Sequence, residues 1–284
     1  MAIVIKTNLE SMIVQKNLTT ATNSLNTAIE RMTTGYRINK ASDDAAGFSI
    51  SESWQTKLGS LDIAAQNIAM GIDMLNTAEG SYDLIYTHLQ RVRDLTEQAA
   101  NGTYGSQSLA AINKEITARL NEIDRISAGT EYNGISLMTA NPSDVPLQVG
   151  ITGDTATSQI TLQSSLFAKA TTTALFGGTD TLAQIASKCS TTSTAPSMLT
   201  KIDEVIKKIS DRMTDIGSTQ NRLTSAEDSN YTQTQNLTSS LSTLRDADVA
   251  KESSNYIQAQ ILQQASATLL ATANQAPSIA LNLI

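Results

Sequence analysis

Residues 58–75 of the chain read LGSLDIAAQNIAMGIDML, and this stretch decides the fold. Its larger apolar residues recur at alternating intervals of three and four positions, which places them along one face of an α-helix. The row continues from Tyr82 to Leu89 and shifts by one residue at Val92. A run of this length predicts one long amphipathic helix packed against a partner helix. The row begins with Leu58, Leu61, Ala65, Ile68, Ile72 and Leu75.

The prolines show where such helices can run. Three of the four lie between residues 142 and 196 and the fourth is Pro277, so 1–141 and 197–276 contain none. Because proline breaks a helix interior, two long helix-forming arms flank a shorter middle segment. We predict a mainly α fold: an elongated helical bundle or coiled coil of paired N- and C-terminal helices, with a small β-hairpin region in the middle.

The arms carry their own start and stop signals. Gly35 offers a left-handed C-terminal cap for a first helix, and Ser42-Asp43-Asp44 offers N-caps for the next. Asn101-Gly102 interrupts the long helix, and a further helix ends near Gly129. The second arm keeps one apolar register from Leu199 to Leu244.

Four polar residues occupy positions of that register where apolar residues are expected. They face either solvent or another helix, or they fix the helix register at a cost in stability. The sequence leaves both interpretations open. The residues are Gln220, Glu227, Asn230 and Thr234.

The middle of the chain has a different pattern. Apolar and polar residues alternate from Leu147 to Ile151 and again from Ile160 to Leu162, on either side of Gly153-Asp154. This pattern predicts a β-hairpin near 147–163. The segment 164–197 is rich in Ser, Thr and Ala, and we expect it to be surface-exposed, with one short helix near 180–188.

Composition excludes several classes of function. The net charge of −7 and the low aromatic content of 4% argue against a basic nucleic-acid-binding face and for thin helix bundles. The opening residues do not form a secretory signal, and no apolar run is long enough for a transmembrane helix. We therefore expect neither nucleic-acid binding nor membrane insertion.

The sequence offers no group of residues on which to place an active site, a cofactor or a metal. The single histidine, His88, cannot form a two-histidine metal centre. Asp43 and Asp44 are more simply helix caps than an acid–base pair. Cys189, the one cysteine, excludes an internal disulfide. We expect no enzyme.

The end of the chain carries the strongest functional signal. No Asp, Glu, Lys or Arg follows Glu252, and apolar residues recur there every three or four positions. A helix with an apolar side and no charged face is built to be surrounded by protein. The tail therefore points to assembly rather than to catalysis. The residues concerned are Ile257, Ile261, Leu262, Ala265 and Leu269.

Several stretches resemble the bacterial flagellins, in the order found in that family. RMTTGYRINKASDDAAGFSISE (31–52) resembles the flagellin signature, although Tyr36 stands where the family usually has Leu. MAIVIKTNLESMIVQKNL resembles the flagellin start, and AQILQQASATLLATANQAP (259–277) its C-terminal part. The resemblance covers roughly 1–163 and 198–284.

The resemblance implies an architecture. Segments 1–42 and 247–284 would form the inner-tube helices of a filament. Segments 43–163 and 198–246 would form the helical core of the outer tube, and 164–197 a short variable segment. The filament-assembly interface would include Leu18, Leu25, Ile29 and Met32, together with the five tail residues Ile257, Ile261, Leu262, Ala265 and Leu269.

The resemblance also implies a location and partners. The chain would be exported through the flagellar type III channel to the extracellular filament, where it polymerises for swimming motility. Its further partners would be an export chaperone, the filament cap and hook-junction proteins. LQRVRDL (89–95) resembles the segment read by the vertebrate Toll-like receptor for flagellin. The implied recognition residues are Leu89, Gln90, Arg91, Arg93, Asp94 and Leu95.

Three other functions are alternatives to a filament subunit. A hook–filament junction protein shares flagellin-like ends. However, GIDMLNTAEG (71–80) and LQRVRDLTEQAANGT (89–103) resemble core segments of the flagellins and favour that family. Abundance in sheared filaments would distinguish the two. A type III translocator would need more hydrophobic heptads. A flagellin with a protease in its variable region would need a second histidine.

Overall fold

The computed structural model describes residues 7–138 and 143–281, with side chains up to residue 275. The two longest helices, α2 (Ala45–Ala100) and α7 (Ala195–Arg245), contain 56 and 51 residues. The predicted mainly α fold with a small hairpin region in the middle is confirmed. The other helices are α1 (Leu9–Thr34), α3 (Ser106–Gly129), α4 (Thr155–Ser158), α5 (Thr172–Leu175), α6 (Leu182–Cys189) and α8 (Val249–Leu281).

The helix boundaries fall where the sequence signals them. Gly35 ends α1 in the left-handed conformation, with φ at 75°. Asp44 caps α2, since its carboxylate accepts a hydrogen bond from the N–H of Gly47 at 3.0 Å. Helix α2 ends immediately before Asn101, and α3 ends at Gly129. Local capping chemistry thus accounts for the end of α1 and the start of α2.

Contacts divide the chain into two compact units, which we call the terminal unit (Met1–Leu58 with Gln235–Ile284) and the central unit (Gly59–Thr234). In the central unit, α2, α3 and α7 turn their large apolar side chains inward. Burying each of these contributes about 1.5–3 kcal/mol, so the central unit has a continuous core of its own. The fully buried side chains there include Ile68, Leu75, Leu89, Ile116, Leu120, Ile123, Ile202, Ile209, Ile216 and Leu223.

Two short hairpins interrupt the helices. Strands β3 (Val145–Gln148) and β4 (Gln159–Leu162) pair antiparallel, which confirms the hairpin predicted from alternation. The smaller pair, β1 (Glu131–Tyr132) and β2 (Ile135–Ser136), was not predicted. Its turn is Asn133-Gly134, with φ values of 49° and 78°. Asn-Gly is the dipeptide that favours such turns, so the sequence did contain the signal.

The larger hairpin is fastened to the helices by a close approach and by two amides. A Cβ on Gly71 would overlap the end of the Leu147 side chain, so a larger residue there would displace Leu147. Asn67 and the buried Asn230 each donate to a main-chain carbonyl of the hairpin segment, both at 3.0 Å. Asn230 therefore binds the hairpin, which explains why a polar residue stands in the apolar row.

The other three polar residues of that row behave differently from one another. Gln220 donates to Asn76 at 3.0 Å and to Glu79 at 2.9 Å, both on α2. Glu227 is exposed and Thr234 is half-buried. Gln220 thus faces another helix and Glu227 faces solvent, as the first interpretation predicts. A role of these residues in fixing the helix register stays a prediction.

The segment 164–197 is not the exposed segment that its composition predicts. Phe167 and Ile185, for example, are buried, although α6 lies where the short helix was expected. The hydroxyl of Tyr82 donates to the carbonyls of Leu166 and Ala168. The physical reason for the error is spacing: the few apolar residues face the core, while the many Ser and Thr residues face outward or bond locally. The buried apolar residues are Leu166, Phe167, Ala170, Leu175, Phe176, Ile185, Ala186, Cys189 and Ala195.

Candidate assembly interface

Helices α1 and α8 of the terminal unit pack against each other through small and polar side chains. Ala21 and Ala28 of α1 are 5% and 2% exposed, and Ala259 of α8 is 4% exposed. Glu252 and Ser266 complete the buried face of α8 at intervals of seven residues from Ala259. Seven-residue spacing of small residues lets two helices approach closely along a coiled-coil seam. We call this contact the seam.

Four large apolar residues of α8 point away from the seam. Ile257, Ile261, Leu262 and Leu269 are between 50% and 59% exposed, and Ala265 is exposed as well. All five residues predicted from the tail therefore lie on one uncovered side of the helix. This is the reverse of an ordinary amphipathic helix, whose large apolar side chains face its partner.

Helix α1 contributes to both faces. Of its predicted assembly residues, Ile29 and Met32 are 44% and 38% exposed, whereas Leu18 and Leu25 are half-buried beside the seam. Of the predicted inner-tube ranges 1–42 and 247–284, residues 1–6 and 282–284 lie outside the described residues.

Sequence reasoning missed a group of exposed apolar residues at the start of α1. Leu9, Met12 and Ile13 are 67%, 63% and 52% exposed. Their signal was available, because the same lack of a charged face that marks the tail also marks residues 11–15, where no acid or base occurs. They add to the exposed apolar residues of α1 and α8. We call these residues together the outward face, although on α1 they lie on more than one side of the helix (Leu9, Met12, Ile13, Ile29, Met32, Ile257, Ile261, Leu262, Ala265 and Leu269).

Polar contacts cross the seam at three levels. Arg31 forms an ion pair with the buried Glu252, at 3.3 Å between nitrogen and oxygen. The amide of Gln263 donates to the hydroxyl of Thr22 at 3.2 Å. At the far end, the amide of Asn8 donates to the carbonyl of Ala273 at 2.8 Å, and the hydroxyl of Ser11 donates to Asn274 at 2.8 Å. An open groove of about 760 Å³, lined mainly by polar side chains, follows the seam on one side.

The two chain segments that join α1 to α2 and α7 to α8 bind each other. The N–H of Ala247 donates to the carbonyl of Gly35 at 2.8 Å, and Tyr36 pairs with Asp246 as an antiparallel bridge. The guanidinium of Arg245 lies 4.7 Å from the ring centroid of Tyr36. A cation–π contact of this kind contributes about 0.5–1 kcal/mol. The Tyr that departs from the family's usual Leu thus acquires a partner.

The segment that resembles the receptor-binding motif is only partly accessible. Leu89 and Leu95 are 0% and 2% exposed, because they belong to the inward row of α2. They are therefore not accessible to a receptor in this fold. Gln90 and Asp94 are exposed.

The two arginines of this segment point to different neighbours. Arg91 donates to Glu115 of α3 at 2.9 Å, and this hydrogen bond raises the pKa of Arg91. Arg93 donates to Asp203 of α7 at 2.7 Å, which raises its pKa in the same way. Pairing within the bundle, which the sequence left as an alternative, is what the structure contains.

Asp43, His88 and Cys189 have pKa values that their local contacts or burial shift. The carboxylate of Asp43 accepts the N–H groups of Lys40 and Asn39, which lower its pKa. Burial lowers the pKa of His88, and burial raises the pKa of Cys189 to about 11. Within residues 7–138 and 143–281, no group of three or more His, Cys, Asp and Glu could hold a metal ion. No helix in this described part combines the length and apolar character needed to cross a membrane.

Two family models match the chain on either side of its middle. The model described as the bacterial flagellin N-terminal helical region matches residues 5–142, and the one described as the C-terminal helical region matches 199–284. The chain belongs to the bacterial flagellins. It is a structural subunit of the flagellar filament, an extracellular polymer, and not an enzyme.

Full-length relatives support this assignment. This flagellin is 34% identical to a flagellin of Halalkalibacterium halodurans over 281 residues, which cover 99% of both chains. It is 35% identical to a flagellin of Bacillus subtilis strain 168 over 277 residues, covering 90% of this chain and 91% of that one. Among solved structures, a putative flagellar hook-associated protein from Vibrio parahaemolyticus aligns with a TM-score of 0.61 over 72% of this chain and 100% of that chain. At 16% identity, that likeness concerns the fold alone.

Proposed function

We propose that this flagellin polymerises through the outward face of its terminal unit, with 1–42 and 247–284 forming the inner tube. Segments 43–163 and 198–246 would then form the outer tube. The supporting observation is that Ile257, Ile261, Leu262 and Leu269 are each at least half exposed although their helix already has a partner. Burying one such side chain contributes about 1.5–3 kcal/mol, and neighbouring subunits are the surfaces that can bury it repeatedly.

The test is Leu269→Asp, which introduces a charge into the outward face. An unpaired buried charge costs several kcal/mol, and the cost recurs at every subunit of a polymer. We expect no sedimentable filament on seeds, while circular dichroism of the free chain stays unchanged because Leu269 is 56% exposed there.

The matched control is Ala250→Asp, which adds the same charge to an exposed position in the first turn of the same helix. A carboxylate is favourable near a helix N-terminus, so filaments should form. Normal filaments from Leu269→Asp would show that this face is not an interface.

We also propose export through the flagellar type III channel, with an export chaperone, the filament cap and hook-junction proteins as partners. This rests on membership of the flagellin family. In a strain that lacks the export apparatus, the chain should accumulate inside the cell. Its appearance in the medium of that strain would contradict the proposal.

Recognition by the vertebrate Toll-like receptor for flagellin is proposed for the exposed part of residues 89–95 only. Gln90, Arg91 and Asp94 are accessible, with Arg93 beside them. Arginine often anchors interfaces, and removing an anchor costs about 2 kcal/mol or more, or roughly 30-fold in affinity. Arg91→Ala should therefore reduce receptor signalling by the free chain. Arg125→Ala, which removes an exposed arginine of α3 paired within its own helix, should leave signalling unchanged.

A further inference from the structure

The buried small residues of the seam between α1 and α8 recur at the same interval on both helices. Ala21 and Ala28 lie seven residues apart on α1, and Ala259 and Ser266 lie seven residues apart on α8. Similar small side chains therefore meet again when one helix slides by seven residues, a shift of about 10.5 Å along the axis. The packing of small residues does not by itself fix the alignment of the two helices.

A shift would break every polar contact across the seam, together with the hydrogen bond from Ala247 to Gly35 at its end. The ion pair is the one of these contacts whose loss leaves a buried charge. In the observed alignment Arg31 meets Glu252, whose side chain is only 9% exposed. The polar contacts along the seam show that the helices run antiparallel. A slide of seven residues would place either Glu252 opposite Ser24 or Arg31 opposite Ala259. Either slide separates Glu252 from Arg31, and a buried carboxylate without its cation is unfavourable.

We propose that Arg31 and Glu252 determine the register of α1 against α8 and thereby align the two halves of the outward face. In the observed register Ile13 of α1 lies about level with Leu269 of α8. A slide of about 10.5 Å would separate residues that a neighbouring subunit must contact together. This inference rests on the assembly proposed above and names the residues that shape its surface.

The analogy with single buried polar residues in coiled coils supports this role. Such residues specify register and contribute little to stability, and apolar replacements can keep the helices paired while losing a unique alignment. The Arg31→Leu and Glu252→Leu double variant should therefore stay helical but sample more than one register. The reversed pair, Arg31→Glu with Glu252→Arg, should restore a single register.

The register can be measured by spin labels on Gln15→Cys and Ser254→Cys in the full chain, both at exposed positions. Cys189 is buried and its thiol pKa is about 11, which keeps it from being labelled. In the observed register the two positions are offset by about 14 residues, or roughly 21 Å along the axis. A slide changes that offset by about 10 Å in one direction or the other.

The parent chain should give one label-to-label distance, and the Leu–Leu variant should add a second one. Lys40→Leu, which removes an exposed ion pair with Glu30 in the same unit, should behave as the parent. A single parent-like distance in the Leu–Leu variant, or a second distance that persists in the reversed pair, overturns the proposal. Failure of the assembly proposal is seen separately, as normal filaments from Leu269→Asp.

Discussion

The terminal and central units use the same kind of helix in opposite ways. In the central unit, Leu120 and Ile123 of α3 are fully buried among other large side chains. In the terminal unit, small residues form the seam, while Ile261 and Leu269 remain 59% and 56% exposed. Heptad spacing alone therefore does not show whether a pair of helices buries all of its large apolar side chains. When small residues occupy the seam, the large ones are left exposed.

Charge follows the same division. The terminal unit contains 8 basic and 8 acidic residues, whereas the central unit contains 12 basic and 19 acidic ones, which accounts for the whole net charge of −7. Like charges repel strongly where water is excluded. A neutral terminal unit can therefore be packed among its own copies, while the charged central unit suits contact with water.

The deletion of most of α8 should have the largest effect, and it tests whether the terminal unit is needed only for assembly. Deleting residues 253–284 removes most of α8 but no part of the central unit. Filament formation should be lost completely, while the chain stays soluble and helical by circular dichroism. Loss of the cooperative thermal transition of the truncated chain would show that the two units are not independent in stability.

A matched pair of substitutions compares the two units directly. Leu120→Ala empties a fully buried site and should lower the free energy of unfolding by about 2–5 kcal/mol. Leu269→Ala, at 56% exposure, should lower it by less than about 0.5 kcal/mol and should weaken filament growth instead. Denaturant unfolding and seeded filament growth are measured on both variants. A large loss of stability in Leu269→Ala would contradict the division between the two units.

The smallest effect concerns the buried thiol of the central unit. Burial raises the pKa of Cys189 from 9.0 to about 11, so the folded state keeps the proton that the unfolded state loses first. The stabilisation is fully present below pH 9 and is lost as the pH rises to 11, by about 2 kcal/mol. Parent and Cys189→Ala chains, unfolded in denaturant at pH 8.5 and 11, should therefore differ in pH dependence. An equal change of the free energy of unfolding with pH in the two chains would mean that the thiol is solvated.

The sequence predicts the helices better than their surroundings. Gly35 and Asp44 mark helix ends through capping chemistry that acts within a few residues, so these boundaries need no tertiary information. The burial of 164–197 depends on contacts such as that between Tyr82 and Leu166, which lie 84 residues apart. Composition, in which Ser and Thr outnumber the inward residues, cannot reveal such contacts.

In the segment that resembles the receptor-binding motif, the motif and the periodicity predict different things. The motif predicts Leu89 as a recognition residue, although Leu89 belongs to the same apolar row as Tyr82 and Leu75. That row predicts burial, and the structure has Leu89 fully buried. Arg91 and Arg93 lie about 200° apart around a helix of 3.6 residues per turn, which explains their separate partners. The helical periodicity alone therefore predicts that Leu89 is buried and that the two arginines have different partners.

The contacts that cross from the first arm to the second also suggest an order of folding. Glu52 and Arg245 are 193 residues apart, Arg31 and Glu252 are 221 apart, and the Asn8 and Ala273 contact spans 265. The entropy of closing a loop grows only with the logarithm of its length, so the step from 193 to 265 adds only about 0.3 kcal/mol. Once the innermost contact has formed, the pair can zip outward one turn at a time. The outermost residues therefore close last and open first, which leaves them free longest to meet a growing end.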